Sequence, residues 1–157
     1  MTHTDIKARL EAVLQQYPSL HYRGFGPPLP LGSWRKLPQK DRDRIFAEDR
    51  QQLLNATNEV ALAVEWLSDV EQQKKINPKA RSYGLKHTAE TLLGTYLGNG
   101  VFMAAAIIAG FKLRVDRSGL NACFNMSQKS INRKSRDIIE RYRNIQFPAE
   151  SPKGGAL

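Results

Sequence analysis

A single cysteine, Cys123, occurs in 157 residues, so no internal disulfide can form and a reducing compartment is expected. No long apolar run is present either. The longest, Val101 to Phe111, is about half of the roughly 20 residues a spanning helix needs, and it reads as a buried core helix. Charges at Asp5, Lys7, Arg9 and Glu11 break up what a secretion leader would require, so a cytoplasmic location without membrane insertion is expected. His3, His21 and His87 share no ligand spacing, which argues against a zinc centre. Neither a phosphate-binding Gly-Lys-Ser/Thr loop nor a dinucleotide fingerprint occurs, and no cofactor is expected. Acid is scarce as well: 15 Asp and Glu stand against 24 Lys and Arg, giving +9. Such an excess favours polyanionic partners.

What is present is helical periodicity. The 41% of hydrophobic residues suffice for a core. Ile6, Leu10, Val13 and Leu14 predict a helix within residues 1–16, capped by Thr2 or Thr4 and ended by Pro18. Residues 17–38 interleave prolines and glycines with Tyr17, Tyr22, Phe25 and Trp34, predicting an extended arm that lies on the domain or on a partner. A helical domain with a hairpin then fills 39–148, before a flexible tail at 149–157. Its first element reads as one long helix from about Gln39 to Lys75, stopped by Asn77-Pro78, either the spine of a bundle or a homodimer seam. Helices over Ser82–Leu93 and Val101–Ala109 follow, joined by a positive-φ turn at Gly98-Asn99-Gly100. Alternation at Phe111–Val115 and Leu120–Met126 predicts a hairpin around Asp116-Arg117-Ser118-Gly119, and Ser127 caps a last helix to about Asn144. The fold class expected is mainly α: a bundle of about five helices, one long, with a small β-hairpin before the C-terminal helix.

The charge is unevenly placed. Residues 41–75 hold five bases and eight acids, whereas residues 76–157 hold 13 bases and five acids. The last helix carries Lys129, Arg133, Lys134, Arg136, Arg141 and Arg143 against Asp137 and Glu140. Positions 129, 133, 136 and 143 share one face, opposite Ile131, Ile138 and Tyr142. Guanidinium groups in such a row match successive phosphates. Lys112, Arg114 and Arg117 around the hairpin extend the candidate nucleic-acid-binding set, and Asn125, Gln128, Ser130 and Asn132 add hydrogen-bonding groups. A solvated basic face, neutralised by the acidic long helix, is the alternative.

Helix, turn, helix and hairpin in succession outline a winged helix-turn-helix. The second helix, however, has no hydrogen-bonding side chain with which to read base edges, so insertion of that helix into a major groove is rejected. Tyr83, Lys86 and His87 fall within about one helical turn and could form an acid–base cluster, or merely finish a helix surface.

The block Ser82-Tyr83-Gly84-Leu85-Lys86-His87-Thr88-Ala89-Glu90, followed by Tyr96-Leu97-Gly98-Asn99-Gly100-Val101-Phe102-Met103-Ala104-Ala105-Ala106, resembles one in uncharacterised small basic accessory proteins of bacterial plasmids and phages. With Asn121–Asn125 as an extension, the resemblance covers roughly a third of the chain. It implies a mobile-element context and carries over no activity or site residue. The function expected is non-catalytic binding of nucleic acid, DNA rather than RNA, through phosphate contacts from the C-terminal helix. The alternative is an inhibitor or adaptor that docks on an acidic protein surface, with Tyr22, Phe25 and Trp34 of the arm as anchors.

Overall fold

Thr2 begins the first helix, α1 (His3–Gln16), with a reciprocal cap: the Asp5 N–H donates to Thr2 Oγ1 and the Thr2 N–H donates to Asp5 Oδ2. The computed structural model describes residues 1–146, so the expected tail at 149–157 lies outside the described residues. Ile6, Leu10, Val13 and Leu14 are the buried face of α1, as their spacing requires.

The arm packs on its own domain. Strands β1 (Leu20–His21) and β2 (Gly24–Phe25) form a two-residue-per-strand hairpin whose four residues are all buried, and α2 (Leu31–Lys36) follows. His21 ties the hairpin down: Nδ1 lies 2.5 Å from the Asp49 carboxylate and Nε2 lies 2.7 Å from the Gly26 carbonyl. Arg50 adds hydrogen bonds to the carbonyls of Leu14, Pro18 and Leu20.

The single long helix does not exist. The chain runs as α3 (Gln39–Asn55) and α4 (Thr57–Trp66), separated by Ala56 at φ −86°, ψ 39°, and then turns into a strand, β3 (Gln72–Arg81). Leu53, Ala56, Val60 and Leu67, which step by three, four or seven along the expected long helix, are all buried, so one apolar stripe is shared by two helices that bury the same side. The continuous helical seam expected over residues 39–75 is therefore not formed. Asn77-Pro78 ends no helix; it lies inside β3, where the register against the neighbouring strand shifts. Proline is tolerated there because β3 is an edge strand, and Lys74, Lys75 and Lys79 charge that edge against pairing with other chains.

Helices α5 (Ser82–Leu93) and α6 (Asn99–Ile108) come next. The expected positive-φ turn at 98–100 is corrected: the left-handed residue is Gly94, which caps α5 at φ +68°. Gly98 and Gly100 serve a close approach instead. The Gly100 N–H donates to the Tyr22 carbonyl at 2.8 Å, and a Cβ on Gly100 would stand 1.7 Å from the His21 carbonyl oxygen. Residues 99–106 of α6 are all buried, which leaves it no face for a groove. Phe102 meets Trp66 and Phe124 edge-on, with ring centroids 6.1 and 6.0 Å apart.

The hairpin of β4 (Leu113–Val115) and β5 (Ala122–Met126) forms as expected, but β5 is the centre of a three-stranded antiparallel sheet in the order β3-β5-β4. The last helix is α7 (Gln128–Gln146), with Ser127 Oγ accepting the Ser130 N–H at its start. Seven helices and two small sheets among the described residues make the architecture mixed, helix-rich α/β, and not a five-helix bundle.

Candidate nucleic-acid interface

The basic residues of α7 divide into two groups. Lys134 is buried, 6% exposed; its Nζ lies 2.6 Å from Asp69 Oδ1 and 4.6 Å from the centroid of the Trp66 ring. Arg133 donates to the Asp69 carbonyl at 2.5 Å and lies 3.7 Å from its carboxylate. Partial burial of Asp69 works to raise its carboxyl, but the hydrogen bond and charge of Lys134, with the charge of Arg133, hold it below the ordinary carboxylate range. Arg141 donates to the carbonyls of Thr91 and Leu92, closing the C-terminal end of α5. Arg133, Lys134 and Arg141 therefore join α7 to the body. Lys129, Arg136 and Arg143 are exposed and make no ion pair among the described residues. The polar groups near the helix start are also engaged. Asn125 bonds Lys112 and Gln73, Ser130 accepts from Glu71, and Gln128 bonds both Asn77 and Asn132.

The sheet collects the bases that sequence order disperses. Phe124 faces α6, so Cys123 beside it points to the opposite face. Arg81 on β3 and Arg114 on β4 are both register partners of Cys123, which sets Arg81, Cys123 and Arg114 in one row across that outer face. Arg81, Arg114 and Arg117 line a single shallow cleft over Cys123. Its one carboxylate, Asp116, is held within its own turn by the Ser118 N–H and hydroxyl. Lys112 is exposed just before β4, two residues from Arg114, and Lys74, Lys75 and Lys79 are exposed on β3. None of these seven cations pairs with a carboxylate among the described residues. Lys74, Lys75 and Lys79 were invisible as site residues in the sequence, because Lys74 and Lys75 read as the end of a helix.

A second concavity lies where β1, α5, α6 and the segment before β5 meet. Tyr83, Lys86 and His87 of α5 do come together there, joined by Tyr22, Tyr96 and Asn99. Lys86 is 4% exposed; its Nζ bonds Glu90 Oε1 at 2.8 Å and lies 4.8 Å from the Tyr96 ring centroid and 5.5 Å from that of Tyr83. Glu90 Oε2 lies 2.9 Å from His87 Nδ1. Partial burial would raise the Glu90 carboxyl, yet bonds from Lys86, the Leu97 N–H and His87, with the Lys86 charge, hold it below its ordinary value. Burial pushes the Tyr22 phenol up, with the neighbouring Tyr96, Glu59, Asp49 and Glu90 adding to the rise.

The arm residues expected to anchor a partner are placed differently from one another. Phe25 is buried in the core, 4% exposed and edge-on to Tyr17, so it offers no surface. Tyr22 and Trp34 are half-buried, Tyr22 in the wall of the second concavity and Trp34 on α2. No helix among the described residues is long and apolar enough to cross a membrane, and no group of three or more His, Cys, Asp or Glu among them could hold a metal ion. No protein family, characterised protein or solved structure matches the chain.

Proposed function

We propose that this protein binds nucleic acid, DNA rather than RNA, without catalysis, and that phosphate contacts carry the affinity. The observation behind this reading is the outer face of the β3-β5-β4 sheet, where Arg81, Arg114 and Arg117 converge, with Lys112 nearby, and make no ion pair among the described residues, the one carboxylate there, Asp116, being held in its own turn. Backbone phosphates are the partners such a surface accepts. Lys129 stands at the start of α7, where Gln128 bonds Asn77 of β3, and Arg136 and Arg143 continue as exposed cations further along the same helix. The preference for DNA rests on the resemblance to accessory proteins of plasmids and phages.

The test is binding of labelled DNA and RNA strands at low salt by wild type and two charge variants. Arg81→Ala/Arg114→Ala weakens binding most, and Lys129→Ala/Arg136→Ala weakens it less. Failure of wild type to bind any strand at low salt removes the proposal.

A protein partner is the second reading, favoured by one feature. Ile139, Tyr142 and Ile145 leave an exposed apolar stripe along the outer half of α7 among the described residues. Capture of a host protein that survives nuclease and high salt, and is lost in Ile139→Glu, would put this reading first.

A further inference from the structure

We infer that the concavity walled by Tyr22, Tyr83 and Tyr96 receives one unstacked base of a single strand whose neighbouring phosphates lie on the basic sheet. The inference rests on the nucleic-acid reading above and adds a preference for single strands to it.

Three observations carry it. The first is the exposure of two large aromatic rings that folding would otherwise cover: Tyr83 is 56% and Tyr96 66% exposed, on either side of the buried Lys86. Each ring has the Lys86 ammonium within about 5.5 Å of its centroid, the Tyr83 ring also meets the His87 ring edge-on at 4.5 Å, and more than half of each tyrosine remains open to solvent. A base has a π-face whatever its sequence, and stacking on such rings is how single strands are held without sequence readout. A duplex keeps its bases stacked inside and cannot offer one without flipping it out.

The second observation is an unmet acceptor in the wall. Asn99 is 7% exposed; its amide nitrogen donates to the Arg23 carbonyl and to Asn121 Oδ1, whereas its Oδ1 is buried with no donor among the described residues. Buried polar atoms are nearly always paired. A small turn of the Asn99 side chain would bring this oxygen to a ring N–H or exocyclic amino group of a base. The same concavity presents at its rim the exposed guanidinium of Arg23, whose Nε lies 3.4 Å from the Asp49 carboxylate and which is the group nearest the phosphate attached to that base.

The third is continuity with the sheet. Tyr83 and Asn121 also border the next depression, which contains Lys79 and Arg81. Arg81 and Asp116 in turn border the cleft of Arg114 and Arg117. A cationic track thus leads from the outer face of the sheet into an aromatic pocket, the pairing of features that single-strand binding sites use. Enclosure of a free phenolic or heteroaromatic metabolite would not require that track.

The test uses the full chain with a short single strand carrying one 2-aminopurine, the same strand as a blunt duplex, and the free 2-aminopurine nucleotide, in about 50 mM salt. Wild type binds the single strand more tightly than the duplex and quenches its fluorescence. Tyr83→Ala and Tyr96→Ala each weaken single-strand binding roughly tenfold and leave duplex binding unchanged. Tyr→Phe at either site restores it, since the ring is kept; both side chains are exposed enough for the variants to fold, which their thermal melts verify. Arg81→Ala/Arg114→Ala weakens both substrates. Equal binding of single strand and duplex, with tyrosine variants like wild type and the arginine variant still impaired, overturns the base pocket and leaves the phosphate reading standing. Binding of the free nucleotide as tight as that of the strand overturns the single-strand assignment. Loss of all binding in wild type overturns both.

Discussion

Removing Arg81 and Arg114 together should change not only how tightly a strand binds but how steeply that binding depends on salt. The two side chains share the row through Cys123 and neither pairs with a carboxylate among the described residues. Each therefore displaces a counterion when a phosphate arrives. For a single strand the slope of log K against log salt is about −0.7 per phosphate neutralised. If four to seven of the sheet cations are engaged, wild type has a slope of roughly −3 to −5 and loses about 50- to 900-fold between about 50 and 200 mM salt. Arg81→Ala/Arg114→Ala makes the slope less negative by about 1.4. The ratio of wild-type to variant affinity consequently shrinks by about sevenfold over that interval. Fluorescence anisotropy titrations at four or five salt concentrations measure both slopes. Parallel lines, with the variant merely displaced, would refute the reasoning, since they would mean that the arginines act on the fold and not on phosphates.

Lys134→Met should lower stability by about 1–2 kcal/mol in urea unfolding, through loss of the Trp66 and Asp69 contacts discounted for the exposure of Asp69, and should leave nucleic-acid affinity nearly unchanged. Gly100→Ala would force a methyl into the His21 carbonyl, so a loss of about 3 kcal/mol or failure to fold is expected, read from thermal melting. Because the folded Glu90 carboxyl titrates below its ordinary range, its contribution to stability is full above about pH 4.3 and disappears as pH falls through the lowered folded value. Acid unfolding curves should show a shallower limb in Glu90→Gln than in wild type.

Much of the helical framework was legible because local signals and tertiary demands agree. Thr2 and Asp5 announce α1, and the apolar richness of Val101–Ala106 announces an enclosed helix. The break at Ala56 was not legible: neither glycine nor proline marks it, and spacing cannot separate one straight stripe from two helices that bury the same side. Gln72–Lys75 are good helix formers, and pairing with β5 overrides their propensity. The same misreading hid the lysines of the sheet edge, since Lys74 and Lys75 join the sheet that carries Arg114 only when β5 lies between the two strands. The bases of α7 were countable in the sequence. That Arg133 and Lys134 would turn to Asp69, and Arg141 to the end of α5, depends on neighbours far away in the chain. The cluster of Tyr83, Lys86 and His87 was visible from helical spacing, whereas the arrival of Tyr22 and Asn99 required the close approach allowed by Gly98 and Gly100.

The most direct trial of the account is an amide chemical-shift map of the full chain titrated with a short single-stranded DNA at low salt. Shifts should cluster at Lys79, Arg81, Lys112, Arg114 and Arg117 and continue to Tyr83 and Tyr96, with α1 and α4 silent. Shifts confined to the outer half of α7, or absent throughout, would contradict it.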